Sequence, residues 1–173
     1  MSFFDYFNIL LPAALLISLF ISWDNINARL LISIFLAVEV LGLLTIEWAM
    51  NMPIGYYAWC MFMNGLFLTF VIGRRYWCYK LQRFDFFAKA FDEHRYSLQE
   101  AALTGLFILS TLINFITLVE VYLYYIDWIS NAYFKLYVRD LVQTSLHVLA
   151  SMACVAFALR FTSDVEGKTN GIK

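Results

Sequence analysis

Apolar residues fall in five long runs, at about 4–23, 29–50, 54–73, 100–126 and 136–160, with polar residues punctuating the chain between them. A helix needs about 20 such residues to cross roughly 30 Å of hydrocarbon, and each run is of that length. The runs are too long for barrel strands and do not alternate apolar with polar, so a β-barrel does not fit. Asp24-Asn25-Ile26-Asn27 and Asn51-Met52-Pro53 separate the first three runs. Such residues stabilise chain reversal locally, which predicts an antiparallel meander. The pattern is that of an all-α, polytopic transmembrane helix bundle with five spans. Four spans, with the first two runs forming a re-entrant pair, is the alternative.

Between the third and fourth runs, residues 74–99 carry a different pattern. Trp77, Leu81, Phe84, Ala88 and Phe91 recur at spacings of four, three, four and three, with Gln82, Asp85, Lys89, Asp92 and Glu93 largely off that stripe. This periodicity predicts one amphipathic helix after the third span. Arg74, Arg75, Lys80 and Arg83 at its start suit anionic headgroups, and the stripe also has the spacing of a helix that pairs with a partner. Cys78, at the membrane boundary, is a candidate for acylation. Ser97 and Glu100 have the spacing of a capping box, which would open the fourth span. Residues 1–161 thus form one transmembrane domain. Residues 162–173 are polar, contain Gly and lack an apolar period, which predicts a mobile tail.

Composition supports the bilayer as partner. Apolar residues make up 62% of the 173-residue chain and charged residues only 14%. A soluble domain carries about a quarter charged residues, and one of this size exposes too much surface to hide five apolar runs. The net charge of −1 says little, but the placement of charge says more. With five spans, Arg29, Arg74, Arg75, Lys80, Arg83, Lys89, Arg95, Arg160, Lys168 and Lys173 fall on one side, and only Lys135 and Arg139 on the other. The positive-inside rule then puts the N-terminus outside and the C-terminus in the cytoplasm, in a plasma or inner membrane. The first run has neither a basic n-region nor a cleavage site, so it reads as a retained span. Trp23, Trp48, Trp59, Trp77 and Trp128 lie near span ends, where indole rings anchor at the headgroups.

Candidate chemistry lies inside the runs. Glu39 and Glu120 each sit in Val-Glu-Val, nine residues before Trp48 and eight before Trp128. At about 1.5 Å per residue both come some 12–14 Å below the outer belt. Asn64, eleven residues past Pro53, is at about 16 Å by the same rise. In the fifth run Asp140, Gln143 and His147 share a helical face. An ionisable group in hydrocarbon is costly and turns toward protein, water or an ion. Glu39, Glu120, Asn64 and His147 are therefore expected in one internal cluster, with Glu47, Asp127 and Asp140 on an outer rim.

Two functions fit. The cluster could conduct or couple a proton or cation, in a homo-oligomer or as a subunit of a larger membrane complex, because five helices leave little room for an aqueous path. Alternatively, the polar groups are interhelical hydrogen bonds in a structural or anchoring subunit that contacts partners or the inner leaflet through Arg74, Arg75, Trp77, Leu81, Phe84 and Phe91. Cys60, Cys78 and Cys154 lack metal-ligand spacing, and no phosphate loop or nucleophile elbow occurs. The expectation is a non-enzymatic protein without metal or cofactor and without a nucleic-acid surface.

Overall fold

The computed structural model describes the backbone of residues 3–94 and 96–170 and the side chains of residues 11–94 and 96–159. Among these, all regular structure is helical: α1 (Phe3–Ile21), α2 (Ile26–Met50), α3 (Gly55–Ile72), α4 (Arg74–Lys80), α5 (Asp85–Asp92), α6 (Leu98–Tyr125), a π-helical segment (Phe134–Arg139) and α7 (Asp140–Asn170). Among the described residues, four stretches are long and apolar enough to cross a membrane: Ile26–Met50, Gly55–Ile72, Leu98–Tyr125 and Phe134–Leu159. That fits a multi-pass membrane protein. The part of α1 with described side chains, Leu11–Ile21, is shorter than a span. Tyr6 and the first residues of the expected first span, with Arg95, Arg160, Lys168 and Lys173, have side chains outside the described residues.

Local chemistry sets the helix ends. The Asn25 side chain accepts the Ala28 N–H at 3.0 Å, satisfying one of the donors a helix start leaves free. At α6, Ser97 Oγ accepts the Glu100 N–H at 3.2 Å and Glu100 Oε2 accepts the Ser97 N–H at 3.1 Å, a complete capping box. The same helix ends in a Schellman motif. Asp127 takes φ 57°; its N–H meets the Tyr124 carbonyl at 3.1 Å and the Trp128 N–H the Leu123 carbonyl at 3.0 Å. Gly73 joins α3 to α4 because a Cβ there would lie 2.7 Å from the Thr69 carbonyl oxygen and 2.9 Å from the Trp77 indole nitrogen. The backbone of the final helix continues to Asn170, through most of the segment expected to be a mobile tail; residues 171–173 lie outside the described residues.

The long helices pack in the order α1, α2, α3, α6, α7 and back to α1, closing a ring. Its core is apolar, with Leu15, Leu31, Ile32, Phe35, Phe67, Val71, Leu103 and Phe157 almost wholly buried. Phe35, Phe67 and Phe107 meet at its centre, with ring centroids 4.0–5.1 Å apart. Trp59 packs partly buried against this core rather than standing free as an anchor, whereas Trp23, Trp48 and Trp128 are exposed.

Residues 74–99 differ from the expected single helix. A turn at Leu81–Phe84 separates α4 from α5, and α5 folds back so that Ala90, Phe86 and Phe87 pack with Cys78 against Ile26 and Leu30 of α2. The stripe is thereby divided. Trp77, Leu81 and Phe84 remain exposed, while Phe91 turns partly inward. The Cys78 thiol is buried, which argues against ready acylation; burial raises its pKa, opposed by the nearby Arg74 charge.

Candidate functional site

The five-helix ring encloses a cavity of about 40 Å³, enough for a water molecule. Every ring helix lines it: Leu11 from α1, Phe35 and Glu39 from α2, Asn64 from α3, Leu106, Phe107 and Ser110 from α6, and Leu146, His147 and Ala150 from α7. Helical spacing explains the pattern. Glu39 follows Phe35 by four residues, Phe67 follows Asn64 by three, and Ser110 follows Phe107 by three, so each pair shares a face. The three polar groups enter the cavity at one level. The three phenylalanines close it one turn away, on the side of the Arg74 end.

Ser110 is the hub. Its Oγ accepts the Asn64 amide N–H at 2.9 Å and the Gln143 amide N–H at 2.7 Å. Gln143 Nε2 also lies 3.4 Å from His147 Nε2. With both lone pairs of Ser110 engaged, its hydroxyl proton is left to donate. Asn114 is buried but stays on its own helix, donating to the Ser110 carbonyl at 3.0 Å. The Glu39 carboxyl makes no hydrogen bond or ion pair among the described residues, and Cys154 lies within its electrostatic reach.

Of the expected cluster, Glu39, Asn64 and His147 line this cavity and Glu120 does not. Glu120 instead accepts the backbone N–H groups of Phe134 and Lys135, both at 2.8 Å. The reversal after α6 brings the chain back so that the next helical segment starts beside Glu120. A carboxylate there meets free N–H donors and the positive end of the helix dipole. The rim residues Glu47, Asp127 and Asp140 are exposed. Asp140 Oδ1 accepts from Arg139 at 2.9 Å, and the Arg139 guanidinium lies over Tyr57 and Tyr56 at 5.1 and 5.3 Å.

A second polar cluster, at the opposite end of the bundle, corrects the expected role of Arg74. Arg74 does not face headgroups: it is 1% exposed and lies 2.6 Å from Glu100, which is equally buried. Arg74 also reaches the Asn27 carbonyl and His94 Nε2, each at 3.4 Å. Asn27 in turn donates to the Glu93 carbonyl. These contacts tie α2, α4 and α6 together with the 93–97 connection. Arg75, by contrast, is exposed, with its guanidinium 5.4 Å from the Phe91 ring centre.

Sequence reasoning missed Ser110 as a hub and Glu100 as a partner for Arg74. A lone serine in an apolar run carries no signal of its own; only its i, i+4 relation to Asn114 marks that face as polar. Comparison of the chain with protein-family models, curated proteins and solved structures finds no match.

Proposed function

We propose that this chain is a five-span plasma- or inner-membrane protein, N-terminus outside and C-terminus cytoplasmic, that binds and exchanges a proton or small cation at Glu39. It would act non-enzymatically, as an oligomer or as a subunit of a membrane complex. One observation carries the reading: Glu39 lines a partly polar cavity at the centre of the helix ring with no hydrogen-bond or ion-pair partner among the described residues. Interhelical hydrogen bonding accounts for the amide nitrogens of Asn64 and Gln143, which both donate to Ser110 Oγ, although the Gln143 Oε1 is buried without a partner among the described residues. It does not account for Glu39, whose carboxyl is costly to retain there unless it serves as a site. His147, on the same wall, is a second group able to take up or release a proton. Between the cavity and the Arg74 end stand Phe35, Phe67 and Phe107, so transfer across the whole bundle requires these rings to move.

The test is flux in reconstituted vesicles under an imposed proton or cation gradient. Glu39→Gln should abolish flux, and Glu120→Gln, with its capping role, should leave most of it. A parent protein without flux, or flux untouched by Glu39→Gln, sinks the reading.

An anchoring role through residues 74–99 is supported by a separate observation, the exposure of Tyr76, Tyr79 and Phe84 beside Arg75, Lys80 and Arg83. Substituting the three aromatics with Ser would then release a co-purifying partner while the bundle stays folded.

A further inference from the structure

We infer that a hydrated polar seam between α3, α6 and α7 joins the Glu39 cavity to the Arg139 end of the bundle, and to that end only. The inference rests on the reading of Glu39 as an exchange site and adds the side from which the site is reached.

All three helices change character at the level of the cavity. Toward the Arg74 end, Asn64 gives way to Phe67 and Val71, Ser110 to Phe107 and Leu103, and His147 to Ala150 and Phe157. Toward the Arg139 end the same faces stay polar. Asn114 and Thr117 follow Ser110 by four and seven residues and are 1% and 0% exposed. Gln143 and Arg139 precede His147 by four and eight residues, and Cys60 and Tyr57 precede Asn64 by four and seven. Here α6 packs on both α3 and α7. The Arg139 guanidinium, from the segment leading into α7, completes the triangle by lying over Tyr57 and Tyr56 of α3.

Three buried polar atoms in this seam have no partner among the described residues: Asn114 Oδ1, Gln143 Oε1 and Arg139 Nε. They are neighbours. The Asn114 amide donates to the Ser110 carbonyl and the Gln143 amide to the Ser110 hydroxyl, so both lie against one residue. Arg139 stands one turn, about 6 Å, beyond Gln143. Turning either amide over only exchanges an orphaned oxygen for an orphaned nitrogen. Buried polar atoms are nearly always paired, with protein or with ordered water. Water suits this set, because it donates to the two oxygens and accepts from the guanidinium. Charge does not bar the seam to a proton or cation. Asp140 lies 2.9 Å from Arg139, and Glu120 is within electrostatic reach of Tyr57, so two carboxylates flank one guanidinium. Cys60 also lies beside Arg139 and Tyr56, and at the inner end the titratable groups are Glu39, His147 and Cys154. Beyond them the three phenylalanines and the apolar core close the bundle toward Arg74.

Silver ion tests this, because it is small, travels in water and blocks thiols. In the full-length protein with Cys60, Cys78 and Cys154 replaced by Ala, single reporters are placed at the cavity level on two helices, Asn114→Cys and Gln143→Cys. Leu103→Cys is the control: it lies on α6 and is as deeply buried as Asn114, but on the far side of the phenylalanines. Silver nitrate is added in chloride-free buffer to vesicles whose Arg139 end faces the bath, and free thiols are then counted with a fluorescent maleimide after denaturation. The two reporters should lose most of their maleimide labelling, and Leu103→Cys should keep it. Reaction at either reporter with Leu103→Cys protected supports the seam. Protection of both reporters overturns it, as does reaction of Leu103→Cys at a comparable rate. Protected reporters beside an intact Glu39-dependent flux remove this inference alone. Reactive reporters without that flux leave the seam standing and remove the exchange reading instead.

Discussion

Replacing Glu100 by Gln isolates the buried charge of the Arg74–Glu100 pair. Gln keeps the shape and can still complete the capping box with Ser97, so the helix start is preserved and only the negative charge is lost. Both partners are 1% exposed and 2.6 Å apart. The other polar contacts of Arg74, to Asn27 and His94, are both long at 3.4 Å, so Glu100 supplies nearly all the compensation for the guanidinium. Removing one member of such a pair leaves an unpaired buried charge and costs about 3–5 kcal/mol, against about 0.2–1 kcal/mol for an exposed pair. The Arg74 Nε is also buried without a partner among the described residues, so the pair is itself imperfectly satisfied. Arg74→Met should therefore cost a similar amount, and the double variant far less than the sum, with a coupling of about 3 kcal/mol or more. Reversible unfolding in detergent micelles, followed by tryptophan fluorescence, reads all three. A loss below about 1 kcal/mol for Glu100→Gln, or an additive cycle, would refute the argument that this pair is a buried structural knot.

Glu120→Ala should destabilise by about 1.5–3 kcal/mol in the same unfolding assay, because two charge-assisted hydrogen bonds to the Phe134 and Lys135 N–H groups are lost; Glu120→Gln should cost less, since an amide oxygen still accepts. Asp127→Gly should be neutral or stabilise by up to about 1 kcal/mol, since its φ of 57° favours Gly, and Asp127→Val should destabilise. The pKa of His94 lies below its ordinary 6.5, first through burial and then through the Arg74 charge, with Glu100 opposing. The unfolded chain then binds a proton before the folded one does, so stability is complete above pH 6.5 and falls as pH drops from there toward the folded-state pKa. His94→Gln should flatten that part of a pH–stability curve measured by thermal unfolding.

The five apolar runs map closely onto the long helices, because the length of an apolar run and the helical rise per residue are properties of the chain alone. Asn25 and the Ser97–Glu100 box also open their helices as local chemistry requires. The stripe in 74–99 was legible as helical but not as two helices, since no Pro or Gly marks the turn at Leu81–Phe84. What breaks it is the packing of Phe86, Phe87 and Ala90 against α2, a contact between residues far apart in sequence.

The contrast between the two glutamates shows where sequence stops. Counting residues from Trp48 and Trp128 assigns Glu39 and Glu120 nearly the same depth, and nothing local distinguishes one Val-Glu-Val from the other. Depth along a helix is set by a fixed rise per residue, so the chain alone determines it. Which way a side chain turns depends on how whole helices rotate against their neighbours, and which backbone donors meet it depends on where the next helix begins. The reversal after α6 starts the next helical segment beside Glu120 and makes it a cap, while the closed ring turns Glu39 toward Asn64, Ser110 and His147. Those are consequences of packing across the bundle, and only the tertiary structure decides them.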